Sequence, residues 1–247
     1  MTKSIAFIPA RSGSKRVHDK NIRLLNGHPL LAYSIDSALK SGVFDEVVCA
    51  TDSELYAEIA TYYGASVPFL RDKKLSGDNS PDIEWVKLFV DYYSNKVKKF
   101  DIFSILRPTS PFRKPETIIR AHQEFLSNQP ADSLRAVQKC TEHPGKMWVI
   151  NGKYMTPMLP LKNENIPWHS SQYISLPKIY VQNASLEIAW VDTLINSKSI
   201  AGEIILPFLT EGYEGFDINY PNDFYLAEII AKEKNNVNLL SIEPFKS

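Results

Sequence analysis

The chain has 247 residues, 44% of them apolar and 11% aromatic, enough for one sizeable α/β core with a small appendage. Lys plus Arg and Asp plus Glu both total 28, so no global field favours nucleic acid or an anionic membrane. Cys49 and Cys140 form neither a disulfide framework nor a metal-type spacing, no apolar run approaches a membrane span, and polar residues follow Pro9 too soon for a signal peptide; a reducing cytoplasm is the expected setting.

Residues 4–9 and 46–50 are short apolar runs bounded by polar turns, and between them Leu30, Leu31, Tyr33, Ile35 and Leu39 recur at helical spacing. This predicts a βαβ unit. The alternation continues with a helix near 54–63, an apolar segment at 67–70, a helix near 82–93 and a buried strand at 101–106. Pro115 opens a helix to about residue 127. Between 141 and 178 the periodicity fades and Pro144, Pro157, Pro160, Pro167 and Pro177 accumulate, with one hairpin expected around Asn151-Gly152. This stretch reads as an insertion into a single domain spanning 1–247. Its Met147, Trp148, Tyr154, Met155, Met158, Trp168 and Tyr173 need a dry partner, which predicts a homodimer. Strands follow near 179–190 and 203–207, then a strand-and-turn element from Gly212 to Phe216 and a helix from about Pro221 with Asp223 in its first turn. The fold class is α/β, a mostly parallel mixed sheet with helices on both faces, and such sheets bind ligands beyond the carboxyl ends of their strands.

The first strand empties into Arg11-Ser12-Gly13-Ser14-Lys15-Arg16 and on to Lys20-Asn21. Small residues let backbone N–H groups approach a phosphate, Ser12 and Ser14 add hydroxyls, and Arg11, Lys15, Arg16 and Lys20 supply charge, so a nucleotide triphosphate is the expected ligand. The spacing fits neither G-x-x-x-x-G-K-[ST] nor G-x-G-x-x-G. Arg16 could instead be a surface residue. Arg71 and Ser80 lie in polar loops where a turn role looks the same, while Thr51 or Asp52 could cap the helix near Glu54 and Asp82 falls in a helical first turn.

The run Phe7 to Asn21, with Leu24, Gly27 and Pro29-Leu30, closely resembles the opening signature of the CMP-sugar synthetases. These cytidylyltransferases activate acidic sugars such as sialic, legionaminic and pseudaminic acids. Further matches follow in order: Ala50-Thr51-Asp52-Ser53, Leu75-Ser76-Gly77-Asp78-Asn79-Ser80, Arg107-Pro108-Thr109-Ser110-Pro111, His143-Pro144 with Lys146, Asn183-Ala184-Ser185 and Phe216-Asp217-Ile218-Asn219. The resemblance implies a Rossmann-like fold of the nucleotide-diphospho-sugar transferase type, with CTP and an acidic small molecule as substrates. It implies a CTP site of Arg11, Ser12, Gly13, Ser14, Lys15, Lys20, Asn21, Arg71 and Ser80, with Lys20, Arg11 and Asp217 as catalytic residues. Arg107, Thr109, Ser110, Gln172 and Asn183 fall on its acceptor side, and Mg²⁺ would be held by Asp217 and Asn219.

Two positions depart from the family pattern. Asn219 stands where a second metal carboxylate is usual, bringing an oxygen without a charge. Arg107 stands where sialic-acid members carry glutamine, and it could fork onto an acceptor acid or form a structural pair with a neighbouring one. These departures keep two other readings open: transfer to a phosphonate or phosphate, and a nucleotide-binding module with little catalysis. No side chain stands out as a general base; His143 reads as a packing or acceptor-contact residue.

Overall fold

The computed structural model describes residues 2–77, 80–96, 99–159, 166–197, 199–233 and 242–246. In chain order these form β1 (Ser4–Pro9), β2 (Leu24–Leu25), β3 (His28–Pro29), α1 (Leu30–Ser41), β4 (Glu46–Ala50), α2 (Glu54–Tyr62), α3 (Asp82–Lys96) and β5 (Ile102–Ile105). Then come α4 (Pro115–Ser127), β6 (Ser133–Lys139), β7 (Trp148–Asn151), β8 (Tyr154–Pro157), β9 (Tyr180–Trp190), α5 (Val191–Asn196), β10 (Ile205–Leu209) and α6 (Pro221–Lys232). The chain divides into two compact units, Met1–Ala136 with Asn183–Ser247, and Val137–Gln182.

The larger unit is built on a mixed, mostly parallel six-stranded sheet in the order β10-β6-β9-β5-β1-β4. β1 pairs parallel with β4 and β5, while β9 runs antiparallel to β5. Alternation along β1 explains why both faces carry helices. Ile5 and Phe7 pack with Trp85, Val86 and Phe89 of α3 and Leu194 of α5, whereas Ala6 and Ile8 pack with Leu31 and Ile35 of α1, Ile59 of α2 and Phe125 of α4. A strand buried on both sides has to be apolar throughout, which is why it read so clearly.

Helix ends follow local chemistry. α1 stops at Gly42, whose φ of +64° suits a residue without a Cβ. α4 begins with Pro115 at its first turn, and Asp223 of α6 accepts hydrogen bonds from the backbone N–H groups of Asn219 (2.8 Å) and Tyr220 (2.7 Å). The cap of α2 is Ser53, which accepts from the Tyr56 N–H. This corrects the expectation that Thr51 or Asp52 caps that helix.

Three further expectations change. The apolar segment 67–70 forms no strand, since only Ser66 bridges to Val48. Gly212–Phe216 is a turn rather than a strand and turn. β6 had no counterpart in the sequence pattern because two of its buried residues, Ser133 and Arg135, are polar.

The smaller unit holds the β7–β8 hairpin, in which Asn151 pairs with Tyr154 and Gly152, at φ +64°, makes the turn. His143 is buried there with both ring nitrogens engaged: Nδ1 accepts from the Gly145 N–H at 2.9 Å and Nε2 donates to the Pro177 carbonyl at 3.1 Å. It packs edge-on against Trp168 and Tyr173. A Cβ on Gly145 would approach Trp168 to 2.8 Å, so only glycine fits beneath that ring. Pro160 lies outside the described residues.

His122 on α4 gives the fold an acid sensitivity. Its ring is buried edge-on to Phe44, Nε2 has no hydrogen-bond partner among the described residues, and burial pushes its pKa down to about 4. The unfolded chain takes up this proton near pH 6.5 while the folded chain refuses it until about pH 4, so stability from this group falls as pH drops through that window. Between pH 7 and 4.5 the loss should be about 2–3 kcal/mol. Urea unfolding of His122→Leu at both pH values should show a smaller difference than the parent.

Candidate active site

A cleft of about 730 Å³ opens where the carboxyl ends of β1 and β5 deliver their loops. Pro9, Arg11, Ser14, Lys15, Arg16, Lys20 and Asn21 form one wall, and Arg107, Pro108 and Thr109 another. Arg71 and Ser80 come from the segment leading into α3, Asp82 and Trp85 from the first turn of α3, and Asp217 and Asn219 from the turn before α6.

The loop after β1 is strongly determined. The Ala10 N–H donates to the Ala50 carbonyl at 3.0 Å, and the Asn21 amide donates to the Arg11 carbonyl at 3.0 Å across the loop's base. Gly13 adopts φ +72° and Asp19 φ +47°, left-handed conformations that glycine and aspartate accept most readily. Asn21 is buried within this arrangement. Ser12 differs from its expected role: its N–H and Oγ donate to the two oxygens of Asp52, at 2.7 and 2.9 Å. Both of its donors are therefore spent on the protein, and neither Ser12 nor Gly13 lines the cleft.

Two arginines frame the inner end. Arg11 donates to the Ser76 carbonyl at 3.0 Å. Arg71 is 5% exposed, donates to the Ser76 hydroxyl and the Leu75 carbonyl, and lies over the Trp85 ring. Burial lowers its pKa. Ser80 lines the cleft with its hydroxyl donating to the Lys74 carbonyl; Asp78 and Asn79 lie outside the described residues.

Lys20 and Asp217 share the far side. The Lys20 ammonium donates to the Ile218 carbonyl at 2.8 Å, and burial pulls its pKa down against the nearby charge of Asp217. Asn219 donates through its amide to Asp217 Oδ2 at 2.6 Å, leaving Oδ1 buried with no hydrogen-bond partner among the described residues. The segment itself is pinned, because the Ile218 N–H donates to the Thr109 carbonyl at 2.9 Å. A buried carboxylate oxygen with no donor, beside an amide, is a hard donor set that suits Mg²⁺. Among the described residues no three His, Cys, Asp or Glu side chains cluster as a protein-only metal cage. Any divalent ion here would complete its shell from a substrate.

The acceptor-side expectations divide. Arg107 and Thr109 line the cleft. The Arg107 guanidinium is already paired, Nη2 lying 2.5 Å from Asp82 Oδ2 and 2.7 Å from Glu187 Oε1, which is the structural pairing weighed as its alternative. Burial opposes ionisation of Asp82, but the Arg107 charge and hydrogen bond hold its carboxyl below the usual range. Glu187, 5% exposed, also pairs with Arg135 of β6. Ser110 is fully buried and does not line the cleft. Asn183 does not line it either, since its amide donates to Thr210 and its oxygen accepts from the Ser185 N–H; the neighbouring Ala184 lines it instead. Gln172 is an exposed residue of the smaller unit.

Sequence reasoning missed Trp85, and it missed Arg113 beneath the cleft floor. Arg113 is 1% exposed, donates to the Ser185 carbonyl and to Ser34 Oγ (2.7 Å), and has its pKa lowered to about 9 by burial. It ties the loop after β5 to β9 and α1. Its position in a proline-rich polar run gave no signal that it faces inward.

The family model for cytidylyltransferases matches residues 5–165. The chain belongs to the cytidylyltransferase family. It is similar over 91% of its length to the CMP-N,N'-diacetyllegionaminic acid synthase of Legionella pneumophila, with 37% identity and 94% of that protein covered. It is 32% identical to the N-acylneuraminate cytidylyltransferase of Escherichia coli over 95% of this chain and 53% of that protein. Among solved structures, a CMP:2-keto-3-deoxy-manno-octonic acid synthetase complexed with CTP shares the fold, with a TM-score of 0.67 at 16% identity and 94% of this chain and all of that one covered. The mixed α/β fold built on the six-stranded sheet is thus shared with that structure. As a cytidylyltransferase the protein is a CTP-dependent transferase, and no described helix is long and apolar enough to cross a membrane.

Proposed function

We propose that this cytidylyltransferase transfers the cytidylyl group of CTP to an acidic sugar of the sialic, legionaminic or pseudaminic acid type. The observation that carries the reading is the convergence of Arg11, Lys20 and Arg71 with the unpartnered oxygen of Asp217 on one cleft. An acceptor hydroxyl oxygen attacks the α-phosphorus in line, the bond to the β-phosphate bridging oxygen breaks, pyrophosphate departs, and the hydroxyl proton passes to solvent. Arg11 and Lys20 offer fixed charge to the phosphate oxygens where negative charge builds. Lys20, carried on the Ile218 carbonyl, is preorganised for that task. Thr109 and Arg107 face the acceptor end, with Arg107 oriented by Asp82 and Glu187.

Asp217, supported by Asn219, would hold Mg²⁺, which when bound screens the triphosphate charge. Asn219→Asp adds a charged ligand and should lower the Mg²⁺ concentration for half-maximal rate, whereas Asp217→Asn should raise it sharply. Titration of Mg²⁺ at saturating CTP checks both, and superimposable curves for parent and variants would remove the metal from this segment.

The exposed Ile150, Tyr154, Met155 and Ile174 of the smaller unit favour a homodimer, and a cytoplasmic setting suits a CTP-dependent enzyme. The test of the function is pyrophosphate release from each of the four nucleoside triphosphates against a panel of acidic sugars, phosphonates and phosphates. CTP with a sugar acid should give the fastest release. A faster phosphonate or phosphate reaction, or CTP binding without release, would overturn it.

A further inference from the structure

The loop between β1 and Lys20 is hung from the turn that enters α2, and it is hung at both ends. At its start Asp52 accepts both donors of Ser12. At its end Tyr56, whose ring is buried in the core on the first turn of α2, donates its hydroxyl to Asp19 Oδ1 at 3.0 Å. Ser12 follows Arg11 directly and Asp19 precedes Lys20, so each clamp sits one residue from a cation that faces the cleft. Asp19 also holds a left-handed backbone, φ +47° and ψ +36°, a conformation that persists when the surroundings determine it. The Tyr56 bond is such a determinant. The residues between the clamps, Ser14 to Val17, line the cleft.

We propose that Asp52 and Tyr56 are positioning residues for the nucleotide, setting the spacing of Arg11 and Lys20 so that both meet one triphosphate. The proposal rests on the reading of this cleft as the CTP site. Neither residue lines the cleft, so each acts through the loop. Asp52 does so with both oxygens of its carboxylate, one for each Ser12 donor. Asn in its place keeps one acceptor for the Ser12 N–H and offers a donor to Ser12 Oγ, so Asp52→Asn should preserve the clamp that Asp52→Ala removes.

The experiment is calorimetric titration of CTP and of cytidine into the full chain and the variants Tyr56→Phe, Asp52→Ala and Asp52→Asn. Tyr56→Phe removes one hydroxyl and leaves the ring in the core, so the fold survives and a melting curve verifies it. Tyr56→Phe and Asp52→Ala should each weaken CTP by about tenfold and leave cytidine within twofold, because the clamped cations touch only phosphates. Asp52→Asn should recover most of the loss. CTP affinities within twofold of the parent, or equal weakening of CTP and cytidine, would overturn the proposal. A parent that binds CTP no better than the other triphosphates would count instead against the functional reading.

Discussion

Replacing Lys20 by Ala should lower turnover by about 10²–10³, the effect of losing one preorganised donor to developing charge, about 3–4 kcal/mol. The side chain reaches across the cleft to the Ile218 carbonyl and is surrounded by Arg11, Arg16, Asp217 and Asp223, so it is held ready without substrate. Its stem lies outside the apolar clusters of the sheet, and the variant should melt close to the parent. Arg in its place would carry the charge on a planar, longer head and should restore little. Pyrophosphate release measured at saturating CTP and acceptor reads the loss; near-normal release would remove Lys20 from the chemistry.

Glu187→Ala should be the most destabilising single change near the cleft, by about 3–5 kcal/mol. Glu187 is buried on β9 between two guanidiniums, Arg107 above and Arg135 on the adjacent strand β6. Burial, with the Arg107 charge nearby, lowers the Arg135 pKa to about 10, so this guanidinium is poorly solvated and costly to leave without a counter-ion. Removing the carboxylate takes the ion-pair partner from Arg135 and leaves Arg107 paired with Asp82. Urea unfolding checks the magnitude, and a loss below about 1 kcal/mol would show that water or carbonyls replace Glu187.

The strands that position the site were legible because they are buried on two faces and therefore largely apolar: β1, β4 and β5 appear as short apolar runs, with Ser104 the polar residue within β5. β6 was hidden by the same rule, since its inward Arg135 is matched by Glu187 some fifty residues away, a pairing no local window contains. α5 is six residues long and too short to display a period. Within the cleft, residue type and order identified the cations and Asp217, because charge-bearing chemistry is written in residue identity. What the side chains bind inside the protein was not. Ser12 looked like a phosphate donor until Asp52 claimed both of its hydrogens, and Asp52 looked like a helix cap while Ser53, next to it, held that role. Ser110 and Asn183 share the motifs of the acceptor side but point their polar atoms elsewhere, as backbone direction rather than composition decides.

The contact between Lys20 and Ile218 spans 198 positions of chain. One wall of the cleft is therefore translated 198 positions before the other. During synthesis the cation loop can fold on β1 and β4 while Asp217 does not yet exist, and fragments ending before it carry the cation wall without that carboxylate. Engineers who split this chain for complementation, or insert a reporter after α6, should expect nucleotide occupancy to track the docking of α6. A fluorescent CTP analogue would then serve as a sensor of completed folding as much as of catalysis.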